Sequence, residues 1–286
     1  MQRLPADPPF AELVSDWFAE HARDLPWRRP GTSAWAVLVS EVMLQQTPVN
    51  RVLPVYRAWL ERWPAPAGLA ADSAGDAVRM WGKLGYPRRA LRLHACAVAI
   101  TEQHGGQLPD TLAGLLALPG VGDYTARAVL AFAFGVRAPV VDINVRRVLA
   151  RAIEGEGMPR PPSTTRDLAT IQPLLPAADR AAARFSAAIM ELGALVCTAT
   201  APGCPSCPVA ERCAWRLAGY PAYAGPTVRP QRFTGTDRQA RGRLLDVLRA
   251  ATGPVLPAAL DLAWPMADQR RRALDSLIVD GLIDPL

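Results

Sequence analysis

Four cysteines crowd into one short segment, and their spacing constrains the fold more than any other feature. They follow the pattern Cys197-x6-Cys204-x2-Cys207-x5-Cys213, while Cys96 stands alone and is expected to be a buried core thiol. The N-terminus shows no apolar signal segment, so clustered thiols indicate a metal site rather than disulfides. Four thiolates can hold either Zn²⁺ or a [4Fe–4S] cluster. A zinc ribbon more often shows two CxxC pairs, and this segment has one.

A second constraint is the stretch 118–144, which joins two apolar segments of helical period through a glycine turn. Gly120 and Gly122 can adopt positive φ without strain, so the backbone turns sharply and points its amides outward. Those amides, with the positive end of the following helix, predict a phosphate site. Asp142 follows just before another helix, which suggests a DNA-backbone reader beside a reaction centre. An ordinary link between two helices is the alternative that the turn alone leaves open.

Composition limits the class of protein. The 286 residues predict about two domains, and 50% hydrophobic residues are enough for a core. No apolar stretch approaches the roughly 18 residues that a membrane span needs, so we expect a cytoplasmic protein without membrane contact. The net charge of +6 and the pI of about 9.4 favour a polyanionic partner.

The apolar spacing is helical along the whole chain, and no segment shows sustained β alternation. The sequence therefore predicts an all-α fold. A Pro- and Gly-rich linker at 216–236 precedes a tail that we interpret as a small winged-helix-like appendage. The predicted helices cover residues 10–21, 34–44, 48–63, 74–81, 88–104, 144–153, 165–175, 177–195, 238–250 and 268–279.

Two polar features interrupt this apolar pattern. The loop 23–30 places three arginines around Trp27. It is either a cation–aromatic surface loop or an aromatic wall with hydrogen-bond donors for a base. Glu41 lies in an apolar helical segment, where burial would raise its pKa. The alternative is that Glu41 faces water at the end of the helix.

Together these motifs resemble the helix-hairpin-helix glycosylases with an iron–sulfur loop, and within them the MutY-type adenine DNA glycosylases. The likeness covers about residues 10–216, and the cysteine spacing is that of the family's cluster loop. The motifs occur in the family's order. They are PWRR at 26–29, SEVMLQQT at 40–47, LGY at 84–86, LPGVGDYTA at 118–126, VDxNV at 141–145 and ELGALVC at 191–197.

The resemblance implies a two-lobed helix-hairpin-helix fold with a structural [4Fe–4S] cluster on the four cysteines. Residues 1–22 would form an N-terminal helix on the cluster lobe. A six-helix lobe with the hairpin would span 23–136, and the cluster lobe 137–216. Residues 217–286 would form the linker and tail. The expected partner is double-stranded DNA with a mispaired adenine, bound by a monomer in the bacterial nucleoid.

The resemblance also implies the chemistry. The adenine is flipped out of the duplex before its glycosidic bond can be broken. Glu41 would be the general acid, and Asp142 would stabilise or trap the oxocarbenium-like sugar. Tyr124 and Asn144 would position Asp142 and the sugar. The adenine pocket would comprise Arg23, Leu25, Trp27, Arg28, Leu44 and Val49. The DNA contacts would be Gln46 and Tyr86 as wedges, Leu84 and Thr47 against the opposite base, and Gly120 and Gly122 in the hairpin.

The lysine count bears on the reaction type, and two positions and the length of the tail depart from the family pattern. Lys83 is the sole lysine, and Tyr124 occupies the position where bifunctional relatives carry a Schiff-base lysine, so we expect a monofunctional enzyme that leaves an abasic site. Ile143 replaces a common glycine beside Asp142, and Ala187 replaces a Gln or Glu that reads the adenine edge. About 70 residues follow the cysteines, too few for the family's NUDIX-like domain, so selectivity for 8-oxoguanine over guanine is open.

Three other functions compete with adenine excision. One is a mismatch glycosylase with another base preference, such as thymine opposite guanine. Another is a bifunctional enzyme for oxidised pyrimidines, which Tyr124 disfavours. The third is a non-catalytic iron–sulfur DNA-binding regulator, which accounts for the cysteines and the hairpin but gives no reason for Glu41 and Asp142.

Overall fold

The computed structural model describes residues 9–225 and 232–285, and this part of the chain contains α-helices, short 3₁₀ and π turns and loops, but no strand. The predicted all-α class is confirmed. The helices are α1 (Phe10–His21), α2 (Ala34–Leu44), α3 (Val49–Arg62), α4 (Pro66–Ala71), α5 (Ala74–Trp81), α6 (Arg88–Gln103), α7 (Leu112–Leu116), α8 (Asp123–Phe134), α9 (Ile143–Leu149), α10 (Thr164–Ile171), α11 (Asp179–Leu195), α12 (Ala214–Leu217), α13 (Asp237–Ala250), α14 (Pro257–Ala263) and α15 (Ala267–Val279).

The described residues form two compact units. The first comprises 9–37, 110–113 and 122–225, and the second comprises 38–109, 114–121 and 232–285. The tail therefore belongs to the same unit as α3 to α6. The four-part domain division expected from the sequence stays a prediction.

The core of the first unit lies around α11. One face of this helix is buried because Ala182, Phe185, Ile189 and Leu192 recur at helical spacing. Helices α1, α8 and α9 pack against α11. The edge of the Phe10 ring meets the Phe185 ring at a centroid distance of 6.3 Å, which fixes α1 on this core.

The core of the second unit contains three buried tryptophans. Trp59 lies 4.6 Å from Trp63 and 5.8 Å from Trp81 between ring centroids, both in edge-to-face contacts. Helix α6 packs against both α4 and α5. Helix α4 begins at Pro66, between the predicted helices 48–63 and 74–81. Proline is well suited to the first turn of a helix, since its missing N–H would have no partner there.

Candidate active site

Asp142 is fixed at the N-terminus of α9. Its Oδ1 accepts the Val145 amide at 2.7 Å, which makes it the N-cap of the helix. Its Oδ2 accepts the Asn144 side-chain amide at 2.8 Å. Burial raises the pKa of the Asp142 carboxyl, while the hydrogen bonds from Val145 and Asn144 act in the opposite direction. The arrangement holds one carboxylate in a defined orientation at the end of a helix.

Asn144 connects Asp142 to the segment that carries the cysteines. Its Oδ1 accepts Arg147 Nη2 at 2.8 Å, and Arg147 Nε donates to the carbonyl of Cys197 at 2.6 Å. Arg147 Nη2 also donates to the carbonyl of Gly193 on α11. A methyl group at Gly193 would lie 2.7 Å from the Asn144 carbonyl oxygen, so glycine permits this close packing of α9 and α11.

Glu41 is buried in α2, with 5% of its surface exposed. Its neighbours Ser40 and Val42 are also buried. The alternative in which Glu41 faces water at the helix end is therefore wrong. Its role as the general acid stays a prediction.

The arginine loop of the first unit is organised by a residue that the sequence analysis did not single out. Glu191, on α11, is fully buried and accepts hydrogen bonds from Arg23 Nε at 2.8 Å and Arg28 Nη2 at 3.0 Å. These arginines lower the pKa of the Glu191 carboxyl to about 2 against the opposing effect of burial. The signal was present, because Glu191 is a lone carboxylate in the apolar stretch 185–196.

The other predicted pocket residues divide between the two units. Leu25 and Trp27 are buried in the first unit, on either side of Pro26 in a short 3₁₀ turn. Leu44 and Val49 are half-buried in the second unit, at the end of α2 and the start of α3. Arg28 Nη1 is buried and has no hydrogen-bond partner among the described residues.

The glycine turn has the expected sharp bend at one of its two glycines. Gly120 has φ of +76°, and a Cβ there would lie 2.7 Å from Arg92 Cβ in the same unit. Gly122 has φ of −96° and caps α8, so the expectation of positive φ there is wrong. Tyr124 lies half-buried in this first turn of α8. The phosphate role stays a prediction.

Two of the predicted DNA-contacting side chains in the second unit are exposed and two are buried. Tyr86 is 52% exposed, and Gln46 is also exposed. Both have positive φ, +48° for Tyr86 and +55° for Gln46, which is unusual for side chains with a Cβ. Leu84 and Thr47 are buried, and their contact with the opposite base stays a prediction. The Thr47 hydroxyl donates to the Leu84 carbonyl at 3.3 Å, which connects the end of α2 to the loop that follows α5.

Arg89 connects the end of α2 to the loop 82–87, and its role was not predicted from the sequence. Its buried guanidinium donates through Nη1 to the carbonyls of Val42 at 2.8 Å and Gln45 at 2.6 Å, at the C-terminus of α2. Through Nη2 it donates to Thr47 Oγ1 at 3.0 Å and to the Gly85 carbonyl at 3.1 Å. Burial lowers the pKa of Arg89 to about 10, so it remains charged at neutral pH.

The four clustered cysteines surround one cavity in the first unit, together with Arg151 and a set of apolar side chains. All four thiols are half-buried. Within the described ranges, no three His, Cys, Asp or Glu side chains converge closely enough to hold a single metal ion. Four thiols around one cavity are a donor set that can hold either Zn²⁺ or an iron–sulfur cluster. Arg151 Nη1 lies 3.5 Å from Cys197 Sγ, which suits a site of net negative charge. Cys96 is buried elsewhere, as expected.

Both departures from the family pattern lie in the first unit. Ile143 begins α9 and is 56% exposed, so its side chain points away from the core. Ala187 is half-buried on α11 and has no group that could form a hydrogen bond through its side chain. In addition, none of the helices in 9–225 and 232–285 is long and apolar enough to span a bilayer.

Comparison with known proteins agrees with these features. The model of the HhH-GPD superfamily base excision DNA repair proteins matches residues 39–173. The adenine DNA glycosylase of Mycobacterium tuberculosis is 56% identical over 269 residues, which cover 93% of this chain and 88% of that protein. The adenine DNA glycosylase of Mycolicibacterium smegmatis is 56% identical over 275 residues, with coverage of 96% and 92%. Among solved structures, a thermostable thymine-DNA glycosylase matches with a TM-score of 0.64 and 25% identity over 73% of this chain and 95% of that one.

Proposed function

The chain belongs to the adenine DNA glycosylases of base excision repair, and from this premise we propose that its substrate is adenine mispaired with 8-oxoguanine or guanine in duplex DNA. The observation that carries the proposal is the fixed carboxylate of Asp142, held by the Val145 amide and by Asn144 at the start of α9. A carboxylate held in this way can stabilise a cationic sugar without reorganising during the reaction.

The reaction then proceeds by hydrolysis. Glu41 donates its proton to the departing adenine as the bond between the base and C1′ breaks, and the bonding electrons leave with the base. Asp142 stabilises the resulting oxocarbenium-like sugar. A water oxygen bonds to C1′, and its released proton restores Glu41. The products are adenine and an abasic site.

Recognition of the adenine falls to the arginine loop. Arg28 Nη1 has no hydrogen-bond partner among the described residues. The resemblance places Arg28 in the adenine pocket, where its guanidinium can donate to the base edge and the Ala187 side chain cannot. The resemblance assigns Leu25, Trp27, Leu44 and Val49 to the apolar lining that contacts the adenine. Glu191 holds the two arginines in place through ion pairs.

The remaining assignments follow the same premise. Tyr124 and Asn144 position Asp142 and the sugar, and Gly120 and Gly122 direct hairpin amides to a phosphate. Gln46 and Tyr86 enter the base stack, while Thr47 and Leu84 act on the opposite base through the backbone that they fix. Since Tyr124 replaces a Schiff-base lysine, the enzyme is monofunctional. We also propose that it acts as a monomer on the bacterial chromosome.

Cys197, Cys204, Cys207 and Cys213 would hold a [4Fe–4S] cluster. A cluster bound by four thiolates supplies structural cross-linking and electron-transfer capacity. Burial raises the pKa of the Cys207 thiol to about 11, so binding has to displace a proton there. Arg151 donates to the backbone of Thr198 at 2.7 Å and helps to fix the loop.

The test is single-turnover release of adenine from four duplexes: A opposite 8-oxoguanine, A opposite G, T opposite G and A opposite T. Alkali reveals abasic sites, and an untreated lane shows any strand cleavage. We expect release of A opposite 8-oxoguanine and opposite G, with intact strands before alkali. Release of T alone would make this a thymine mismatch glycosylase.

Two substitutions separate the enzyme from a regulator. We expect Asp142→Asn and Glu41→Gln each to lower the single-turnover rate by at least about 10²-fold, the usual contribution of a general acid, while duplex binding is retained. Asp268→Asn, which removes an exposed carboxylate in the first turn of α15, is the matched control. Abasic-site formation that survives both substitutions would contradict the assignment, and binding without any release by wild type would favour the regulator.

A further inference from the structure

The loop at 82–87, which presents Tyr86, is held by its backbone carbonyls. Every carbonyl from position 82 to position 86 accepts a hydrogen bond. All of these donors except Arg249 lie between positions 47 and 89 of the chain. The donors are Arg249 Nη1 for Gly82, Arg51 Nη2 for Lys83, Thr47 Oγ1 for Leu84, Trp81 Nε1 and Arg89 Nη2 for Gly85, and the Arg89 amide for Tyr86.

Arg249 is the donor that comes from the tail. It lies at the C-terminal end of α13, and only 13% of its side chain is exposed. Its Nε is buried without a hydrogen-bond partner in the described part of the chain, and the Asp246 carboxylate lies 3.5 Å from Nη1. Burial of a guanidinium without hydrogen bonds is unfavourable in free energy. The hydrogen bond to the Gly82 carbonyl therefore stabilises Arg249 in this position.

The tail also contacts the other end of the loop. Asp280, just after α15, lies 3.2 Å from Arg88 Nη1 and accepts a second bond from Arg241 of α13. A Cβ at Gly281 would lie 3.9 Å from the Leu91 side chain, which is ordinary packing distance. The tail thus holds the loop before Lys83 and after Pro87.

The charges of the tail do not indicate a separate surface for nucleic acid. Residues 232–285 contain eight arginines and seven aspartates, so their net charge is close to zero. Five of the arginines pair with aspartates inside the tail. The pairs are Arg241–Asp280, Arg249–Asp246, Arg270–Asp261, Arg271–Asp268 and Arg272–Asp237. The tail is therefore better suited to hold a neighbouring segment than to bind phosphates.

We propose that the tail is a brace for the 82–87 loop, and that Arg249 is a positioning residue through which the tail sets the approach of Tyr86 to the duplex. The inference rests on the proposed function, in which Tyr86 enters the base stack. Tyr86 has φ of +48°, a conformation that a tyrosine keeps only when its surroundings fix it. A loop fixed in advance enters the stack without first losing its own conformational freedom.

The first experiment needs no DNA. Hydrogen–deuterium exchange is followed in full-length wild type, Arg249→Gln and Arg243→Gln. The control removes an exposed arginine from the same helix. We expect Arg249→Gln to raise exchange in peptides covering 82–88 by about tenfold or more, as for loss of a hydrogen bond with a charged donor. Equal exchange in all three proteins would overturn the brace.

The second experiment measures the effect on DNA. A duplex carries A opposite 8-oxoguanine and 2-aminopurine on the 5′ side of that adenine, so unstacking raises fluorescence. We expect Arg249→Gln to slow the fluorescence rise and adenine release together by about tenfold, and Arg249→Lys to recover part of both. Tyr86→Ala should lose the fluorescence rise.

The outcomes separate the brace from the proposed function. A loosened loop with wild-type unstacking and release would overturn the positioning role of Arg249. Absence of adenine release by wild type would refute the proposed function, while exchange at 82–88 would still decide the brace. If Arg249→Gln does not fold, Asp280→Asn tests the brace through a different contact, the ion pair with Arg88 at the other end of the loop. The brace predicts faster exchange at 82–88 there as well.

Discussion

Gly193 offers the sharpest test of how the candidate site is built. A methyl group on Gly193 would lie 2.7 Å from the Asn144 carbonyl oxygen, 2.8 Å from its Cβ and 2.9 Å from its carbonyl carbon. Ordinary contacts between such atoms are about 3.5 Å or more. Because two of these three atoms are backbone, rotation of the Asn144 side chain cannot remove the overlap. Gly193→Ala must therefore move α9 and α11 apart by up to about 1 Å.

That shift acts on the chemistry through Asn144, which holds Asp142 at 2.8 Å. A misplacement of about 1 Å at a reacting group costs roughly 10²-fold in rate. Overpacking of a helix interface costs about 1–3 kcal/mol. We therefore expect Gly193→Ala to lower single-turnover adenine release by about 100-fold and the free energy of unfolding by about 1–3 kcal/mol, with duplex binding largely retained.

Gly242→Ala is the matched control. Gly242 also lies inside a helix, α13, but a methyl group there would have no atom within 4 Å. Alanine at that position should stabilise the protein by up to about 1 kcal/mol and leave the rate unchanged. If Gly193→Ala releases adenine within about threefold of wild type, the contact with Asn144 does not position Asp142, and the reasoning is refuted.

Further predictions concern the buried charges. Arg89→Met should lower the free energy of unfolding by about 3 kcal/mol, because buried carbonyls lose a charged donor; an unchanged urea midpoint would contradict this. The pKa of Glu191 is lowered to about 2 in the folded protein. Its ionised carboxylate therefore contributes fully to the free energy of unfolding above about pH 4.5, and this contribution is lost as the pH falls through the folded-state pKa. Glu191→Gln should therefore cost about 2 kcal/mol at pH 6 and little near pH 2, as measured by urea unfolding. Burial raises the pKa of Asp142, so the acid limb of the single-turnover pH profile should lie above pH 3.8, and Asp142→Glu should move it.

The local features of the fold were predictable from the sequence. Helices α2 and α5 have the predicted bounds, since each carries a continuous helical pattern; Ser73 caps α5 with a hydrogen bond to the Asp76 amide. The Gly120 turn and the grouping of the four cysteines also follow from short-range spacing. Such features depend on residues close in the chain, and a single sequence records them directly.

The long-range features were not predictable in the same way. Arg23 and Glu191 are separated by 168 residues, and Arg249 and Gly82 by 167. Nearly all basic residues are arginine, so composition does not distinguish the buried guanidiniums of Arg89 and Arg249 from those that face water. Burial and partner choice arise only when the helices pack, and the pattern of one helix does not show them.

The hydrogen-bonded path from Asp142 through Asn144 and Arg147 to the Cys197 carbonyl has a consequence for maturation. On the proposed function, a newly made chain already has Glu41 and Asp142 before it receives the cluster that we propose for its four cysteines. If the cysteine segment folds only around the cluster, the Cys197 carbonyl is not in place to accept the Arg147 hydrogen bond until the cluster is bound. Base excision would then begin only in cluster-loaded protein, and cluster-free protein would leave chromosomal bases intact.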